Sequence, residues 1–185
     1  MQRIRQPGIQ KPDKGNNWTS LNLSPTPLHK IIFHNNHGYC TGLGTKLLVS
    51  ENDGNTWKDE LAFEASNSTD ISFKEGIGFC IVDNINLYRT TDNGNTWINT
   101  NPFGLMGFTV VDPLTSNNCL VFGNGDYSGG DFGYSYGAVW QTTDSGNNWT
   151  SVQFKNIASV NCTSFYASSN GYAVAGNKLI GITVK

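Results

Sequence analysis

The stretch richest in groups capable of chemistry is Gly123–Tyr136, where Asp126, Tyr127, Asp131, Phe132, Tyr134 and Tyr136 stand among glycines and serines. Aromatic faces stack on the apolar faces of a sugar while carboxylates accept its hydroxyl hydrogens, and the same set equally suits a protein hot spot. These six are the candidate ligand-binding residues. A Gly-rich hairpin packing its own aromatics onto a sheet uses the same composition. Asp126 and Asp131 lack the spacing of an EF-hand loop, so calcium is not favoured.

Other reactive side chains read as structure. His34 and His37 could present two nitrogens to a metal, but His34-Asn35-Asn36-His37-Gly38 has the composition of a polar turn and no acidic neighbour in it. The four cysteines, Cys40, Cys80, Cys119 and Cys162, show no CxxC spacing, so no zinc site, other metal or cofactor is expected. Four Asn-x-Ser/Thr sequons begin at Asn17, Asn67, Asn148 and Asn161 in an Asn-rich chain, and two of them lie inside the turns described next.

The elements that must position these groups are set by a repeat. Thr90-Thr91-Asp92-Asn93-Gly94-Asn95-Thr96-Trp97 recurs as Lys11–Trp18, Ser50–Trp57 and Thr142–Trp149. In Ser/Thr-x-Asp-x-Gly-x-Thr-Trp the carboxylate can accept main-chain N–H groups of a tight turn, the glycine supplies positive φ, and the tryptophan packs between sheets. Asn52 replaces the acid in the second copy and Lys11 the hydroxyl residue in the first. Asn keeps an acceptor oxygen, so the second turn survives and the first is the looser. Residues repeated around a fold cannot all converge on one reaction centre, so Asp13, Asp92 and Asp144 are clasps.

This eight-residue pattern resembles the Asp-box, or BNR, repeat of β-propellers such as sialidases, sortilin-type receptors and the photosystem II assembly and stability factor. The resemblance implies an all-β propeller, favours an exported protein, and invites a test for sialidase chemistry. That reaction needs, by the resemblance, three arginines, a Tyr paired with Glu, and an acid/base Asp. Only Arg3, Arg5 and Arg89 are present, two of them near the N-terminus, and Glu51, Glu60, Glu64 and Glu75 fall within two repeats. No catalytic residue is assigned.

Trp18, Trp57, Trp97 and Trp149 are spaced 39, 40 and 52 positions apart, the period of one four-stranded blade. The first repeat offers strands A to D at Lys30–Phe33, Tyr39–Gly42, Lys46–Val49 and Trp57–Leu61; the second at Ile71–Phe73, Gly78–Ile81, Asn86–Arg89 and Trp97–Asn99. Cys40 and Cys80 each precede their box glycine by 14 positions, Cys119 by 27, so thirteen extra residues, roughly Gly123 to Ser135, lie between strands B and C of the third repeat. Cys40, Cys80, Cys119 and Ala173 then share one strand-B slot, too far apart for the roughly 4.4–6.8 Å Cα separation of a disulfide, and read as small buried apolar residues.

The fourth repeat supplies Thr163–Tyr166, Gly171–Val174 and Lys178–Ile182, with its box and strand D expected from Asp13 to Leu23. The reading is one domain, 1–185, of about four four-stranded blades with Asp-box hairpins and N-/C-terminal strand closure: repeats near 28–63, 69–100, 107–154, and 160–185 completed by 8–23. A closed four-bladed ring, a portion of a larger propeller, and two chains forming an eight-bladed ring all remain open.

With 21 glycines, 12% aromatic and 14% charged residues, the chain suits short strands and turns. A net charge of -2 without a basic cluster argues against nucleic acid, and no apolar run reaches membrane-spanning length. In a meander, a B–C loop lies opposite the C–D boxes, on the face the resemblance associates with binding. The function expected is a non-catalytic binding or scaffold module contacting a protein or a glycan there. The alternatives are a glycan-processing enzyme and a carbohydrate-binding module.

Overall fold

The computed structural model describes residues 20–24, 26–44, 47–60, 63, 67–100, 107–124, 137–154 and 159–184, and these contain strands and turns but no helix. Blade 1 comprises β1 (Leu28–His34), β2 (His37–Gly42), β3 (Leu48–Ser50) and β4 (Lys58–Asp59). Blade 2 comprises β5 (Ser68–Lys74), β6 (Ile77–Val82), β7 (Asn86–Thr90) and β8 (Ile98–Asn99). Blade 3 is β9 (Gly107–Pro113), β10 (Cys119–Asn124), β11 (Gly137–Thr142) and β12 (Thr150–Phe154), and blade 4 is β13 (Val160–Ala167), β14 (Asn170–Ala175) and β15 (Lys178–Thr183). Each is an antiparallel meander in chain order. The strand expected to complete blade 4 lies outside the described residues, apart from residues 20–23, which join no ladder.

Tight turns set the register. His34 pairs with His37 across Asn35 (φ 47) and Asn36 (φ 64), and Lys74 pairs with Ile77 across Glu75 (φ 51) and Gly76 (φ 86). Two consecutive left-handed residues match the strand twist of a two-residue hairpin. The histidine pair is thus a turn: His37 Nδ1 lies 2.9 Å from the Asn35 carbonyl oxygen, and the His34 ring stacks on Phe73 of blade 2 at 5.1 Å. Glu51, whose carboxyl is lowered first by Lys58, also feels His37.

The boxes form as their chemistry dictates. In blade 2 the Thr96 N–H donates to Asp92 Oδ1 (2.9 Å), the Thr96 hydroxyl to Oδ2 (2.6 Å), and the Trp97 indole N–H to the Gly94 carbonyl (3.1 Å). Asn52 accepts Thr56 N–H at 2.9 Å, and Asp144 accepts Asn148 N–H at 2.8 Å. The leading hydroxyl does more than the sequence announced. Thr90 Oγ1 accepts the Gly94 N–H at 2.9 Å while donating to Asp92 Oδ1 at 2.7 Å.

Packing runs from blade to blade. Tyr39, Leu47 and Val49 of blade 1 meet Ile71, Cys80 and Val82 of blade 2 in one cluster. Phe79, Ile81 and Leu87 meet Val111, Val121 and Trp140 of blade 3 in a second. Leu120 and Phe122 meet Ala173 and Ala175 of blade 4 in a third. A strand-B residue is therefore buried on both faces, which is why β6 and β10 are apolar throughout rather than alternating. Cys40, Cys80 and Cys119 are free and buried, and Cys162 is free and exposed.

Candidate binding cleft on the propeller axis

The A strands β1, β5, β9 and β13 are the inner edges of their sheets and contact one another in succession. Their first residues follow the connections between blades, on the face opposite the boxes; their last residues enter the A–B turns on the box face. A cavity opens at each end. One of about 350 Å³ is bordered by His29, Lys30, Asp70, Thr109 and Asn161 on the face opposite the boxes. The other, of about 560 Å³, is bordered by Lys74, Leu114, Phe165 and Tyr166 on the box face. Asp112 and Thr163 line both.

Asp70 sits at the centre of this wall with 6% of its surface exposed. Its Oδ1 lies 2.6 Å from Lys30 Nζ of blade 1 and accepts the Ile71 N–H at 3.0 Å, while Oδ2 accepts the Val111 N–H of blade 3 at 2.8 Å. One carboxylate thereby joins three blades, and its lone pairs are committed to holding them. Asp112 accepts the Thr163 hydroxyl of blade 4, and burial raises its carboxyl above the ordinary range, partly offset by that hydrogen bond. Thr109 donates to the Val160 carbonyl at 2.8 Å, a further link from blade 3 to blade 4.

On the box face the links are of another kind. Arg89 donates from Nη1 to the Ser145 carbonyl (2.5 Å) and to Asn147 Oδ1 (3.0 Å), clamping the box of blade 3. It is spent on structure rather than on a carboxylate-binding arginine cluster; Arg3 and Arg5 lie outside the described residues. Among the described residues, no group of three or more His, Cys, Asp or Glu side chains converges on a point where a metal could sit.

Asp126, Tyr127, Asp131, Phe132, Tyr134 and Tyr136 all lie outside the described residues. The roots of their loop are described: Asn124 pairs with Gly137 across β10 and β11 and with Gly107 on β9. That end of blade 3 is opposite its box, as the alternation of a meander requires. The residues that sequence reasoning passed over are Lys30, Asp70, Asp112 and Thr163. Their signal was an isolated acid within an apolar inner strand, Asp70-Ile71-Ser72-Phe73 and Val110-Val111-Asp112, where an unpaired charge would be costly.

Four radial antiparallel meanders, clasped at three described C–D turns by an Asn or Asp and stacked face to face around a common axis, define an Asp-box β-propeller. The chain belongs to the family described as photosynthesis system II assembly factor YCF48, whose model matches residues 9–177. Among solved structures it is similar to one titled YCF48 bound to D1 peptide, at 20% identity and TM-score 0.63, covering 83% of this chain and 49% of that one. It is similar to YCF48 from Cyanidioschyzon merolae at 21% identity and TM-score 0.61, covering 85% and 54%. An ancestral GH74 enzyme is matched at 15% identity and TM-score 0.66, covering 86% and 23%; likeness at these identities is one of fold. The chain spans about half the length of the two YCF48 structures. No curated protein matches it.

Proposed function

We propose that this chain is a non-catalytic protein-binding module of the assembly-factor type, holding an extended segment of a partner on the face opposite the Asp-boxes. The observation that carries the reading is the convergence of four sheet-edge strands, β1, β5, β9 and β13, on one polar cleft. An extended peptide finds main-chain partners at such edges and side-chain pockets between them. His29, Lys30 and Asn161 offer it donors. Family membership supports a protein partner, and the relative solved with a D1 peptide supports a peptide segment as the ligand. Asp126 to Tyr136, whose roots leave blade 3 on this face, would add aromatic contacts at the rim.

Overlapping peptides covering the D1 protein, control peptides of shuffled sequence and a glycan array would be titrated against the full chain. Saturable peptide binding, weakened at least tenfold by His29→Glu or by the pair Tyr134→Ala and Tyr136→Ala, is the expected result. Glycan binding without peptide binding would select the lectin-like alternative. Turnover of a glycosidase substrate, abolished by a single carboxylate substitution, would overturn the non-catalytic reading.

A further inference from the structure

The repeat supplies an internal standard for what each blade face should touch. On the forward face, Tyr39 and Phe79 occupy the strand-B place after the glycine that ends the A–B hairpin, and each is 1% exposed beneath the next blade. Tyr172 holds that place in blade 4, following Gly171 as Phe79 follows Gly78, and is 49% exposed. Leu87, opposite Ile81, is 1% exposed and Leu47 is fully buried; Leu179, opposite Val174, is 71% exposed. Tyr166, which follows Phe165 as His34 follows Phe33, is 73% exposed, whereas His34 stacks on the next blade. Among the described residues, the forward face of blade 4 therefore lacks the neighbour that these positions have in blades 1 and 2.

The backward face of blade 1 is its complement. Ile31 pairs with Cys40 as Ile71 pairs with Cys80, yet Ile31 is 54% exposed and Ile71 fully buried. Phe33, in the place of Phe73, is 55% exposed. The box glycines differ in which blade covers them. A Cβ on Gly94 would stand 2.8 Å from the Tyr39 hydroxyl, and one on Gly146 would stand 3.0 Å from the Phe79 ring, each aromatic reaching over from the preceding blade. Around Gly54 the near atoms belong to Phe33 and Trp57 of its own blade, the Phe33 ring lying 3.1 Å from a Cβ there, so the blade covers this glycine itself. Blade 4 thus leaves apolar side chains uncovered on its forward face, and blade 1 on its backward face.

We infer that the forward face of blade 4 docks on the backward face of blade 1 in a second copy of this chain, Tyr172 and Leu179 covering Ile31 and Phe33. Closure of the chain on itself would bury these residues, and they are open. The chain overlays on about half the length of two larger propeller chains, and two copies would supply eight blades. Two copies related by a twofold axis then form both head-to-tail contacts at once and close an eight-bladed ring, whereas a rotation that did not close would yield open filaments. The inference does not depend on the protein-binding reading, since it concerns faces away from the axial cleft.

The test is the mass of the full chain in solution, by light scattering and native mass spectrometry. Twice the 20.2 kDa chain mass is expected. The pair Tyr172→Glu and Leu179→Glu on blade 4, or Ile31→Glu on blade 1, should each raise the dimer dissociation constant at least tenfold with an unchanged circular dichroism spectrum, these side chains being exposed within one copy. Mixing the two variants should restore part of the association, because one of the two contacts in the mixed ring carries no substitution. A monomer, a mass above two chains, or a dimer indifferent to both variants would overturn the inference. A monomer that still binds peptide would leave the proposed function standing.

Discussion

The Tyr39 hydroxyl on β2 donates to the main-chain carbonyl of Asn93, in the box of the next blade. Asn93 and Gly94 are both left-handed (φ 56 and φ 84), which turns that carbonyl toward blade 1 and leaves the tyrosine ring the space a side chain on Gly94 would fill. The clasp that closes one hairpin is thus also the receptor for its neighbour.

This contact ties stability to alkaline pH. Burial first, then the charges of Asp92 and Glu51, push the Tyr39 hydroxyl up to about 12 from its ordinary 10.0. The folded protein keeps a proton that the unfolded chain releases, so the contribution is whole below pH 10 and is lost as pH rises toward 12. Urea midpoints measured across that interval should fall for the native chain and flatten for Tyr39→Phe, which itself costs about 1 kcal/mol at neutral pH.

Substitution at two glycines separates backbone strain from lost space. Gly44 (φ 62) and Gly94 (φ 84) both strain an alanine, but the nearest atom to a Cβ is 3.4 Å away at Gly44 and 2.8 Å away at Gly94. Gly44→Ala should lower stability by about 1 kcal/mol and Gly94→Ala by at least twice that, read as the shift in denaturation midpoint.

Acid should loosen the boxes. The Asn148 main-chain N–H, followed by its side-chain amide and the Thr142 hydroxyl, holds Asp144 down to about 2 from 3.8, and Thr96 holds Asp92 below its ordinary value. Their contribution is present above pH 3.8 and disappears as pH falls toward 2. Asp144→Asn and Asp92→Asn should flatten the acid limb of the stability profile while leaving the neutral value nearly unchanged, since Asn52 already closes a box without a charge. Asp92→Ala, which leaves the Thr96 N–H and hydroxyl without their acceptor, should cost about 1 kcal/mol.

Two ion pairs should behave oppositely. Lys58–Glu51 has side chains 51% and 62% exposed, so Glu51→Gln should change stability by less than about 1 kcal/mol. Asp70→Ala removes the buried acceptor of the Val111 N–H together with the partner of Lys30, and should cost about 2–3 kcal/mol. Thermal unfolding of the two variants side by side measures the contrast.

A thiol reagent should find one fast cysteine in the native protein, Cys162, and three more on unfolding. Burial encloses Cys40, Cys80 and Cys119 and raises their thiols, the last two strongly.

The four repeats, their described strands and the three described boxes were legible in the sequence because each depends on neighbours within a few positions; the first box, Lys11–Trp18, lies outside the described residues. A hydroxyl residue, an acid or Asn two positions on, and a glycine two further determine a turn wherever they occur. The expected cysteine slot held for two blades and failed in the third: Cys40 and Cys80 pair with Leu48 and Tyr88, two positions before the box residues Ser50 and Thr90, whereas Cys119 pairs with the box residue Thr142 itself and Val121, opposite Trp140, holds the slot, because the insertion between strands B and C hides the register from the sequence. The cleft was not legible. Lys30, Asp70 and Val111 are about forty positions apart, and no local pattern marks them as partners. The aromatic loop from Asp126 to Tyr136 stood out in the sequence instead, because unusual composition is visible one residue at a time.

The chain by itself determined the repeating unit, through turn chemistry and strand periodicity, and with it the equivalence of Tyr39, Phe79 and Tyr172. Only the tertiary structure decided that two of these rings are covered and the third is open, and that one carboxylate serves three blades. The reason is geometric: hydrogen bonds along the chain repeat with the sequence, whereas burial depends on how many blades stand beside a given face, and curvature around the axis sets that number.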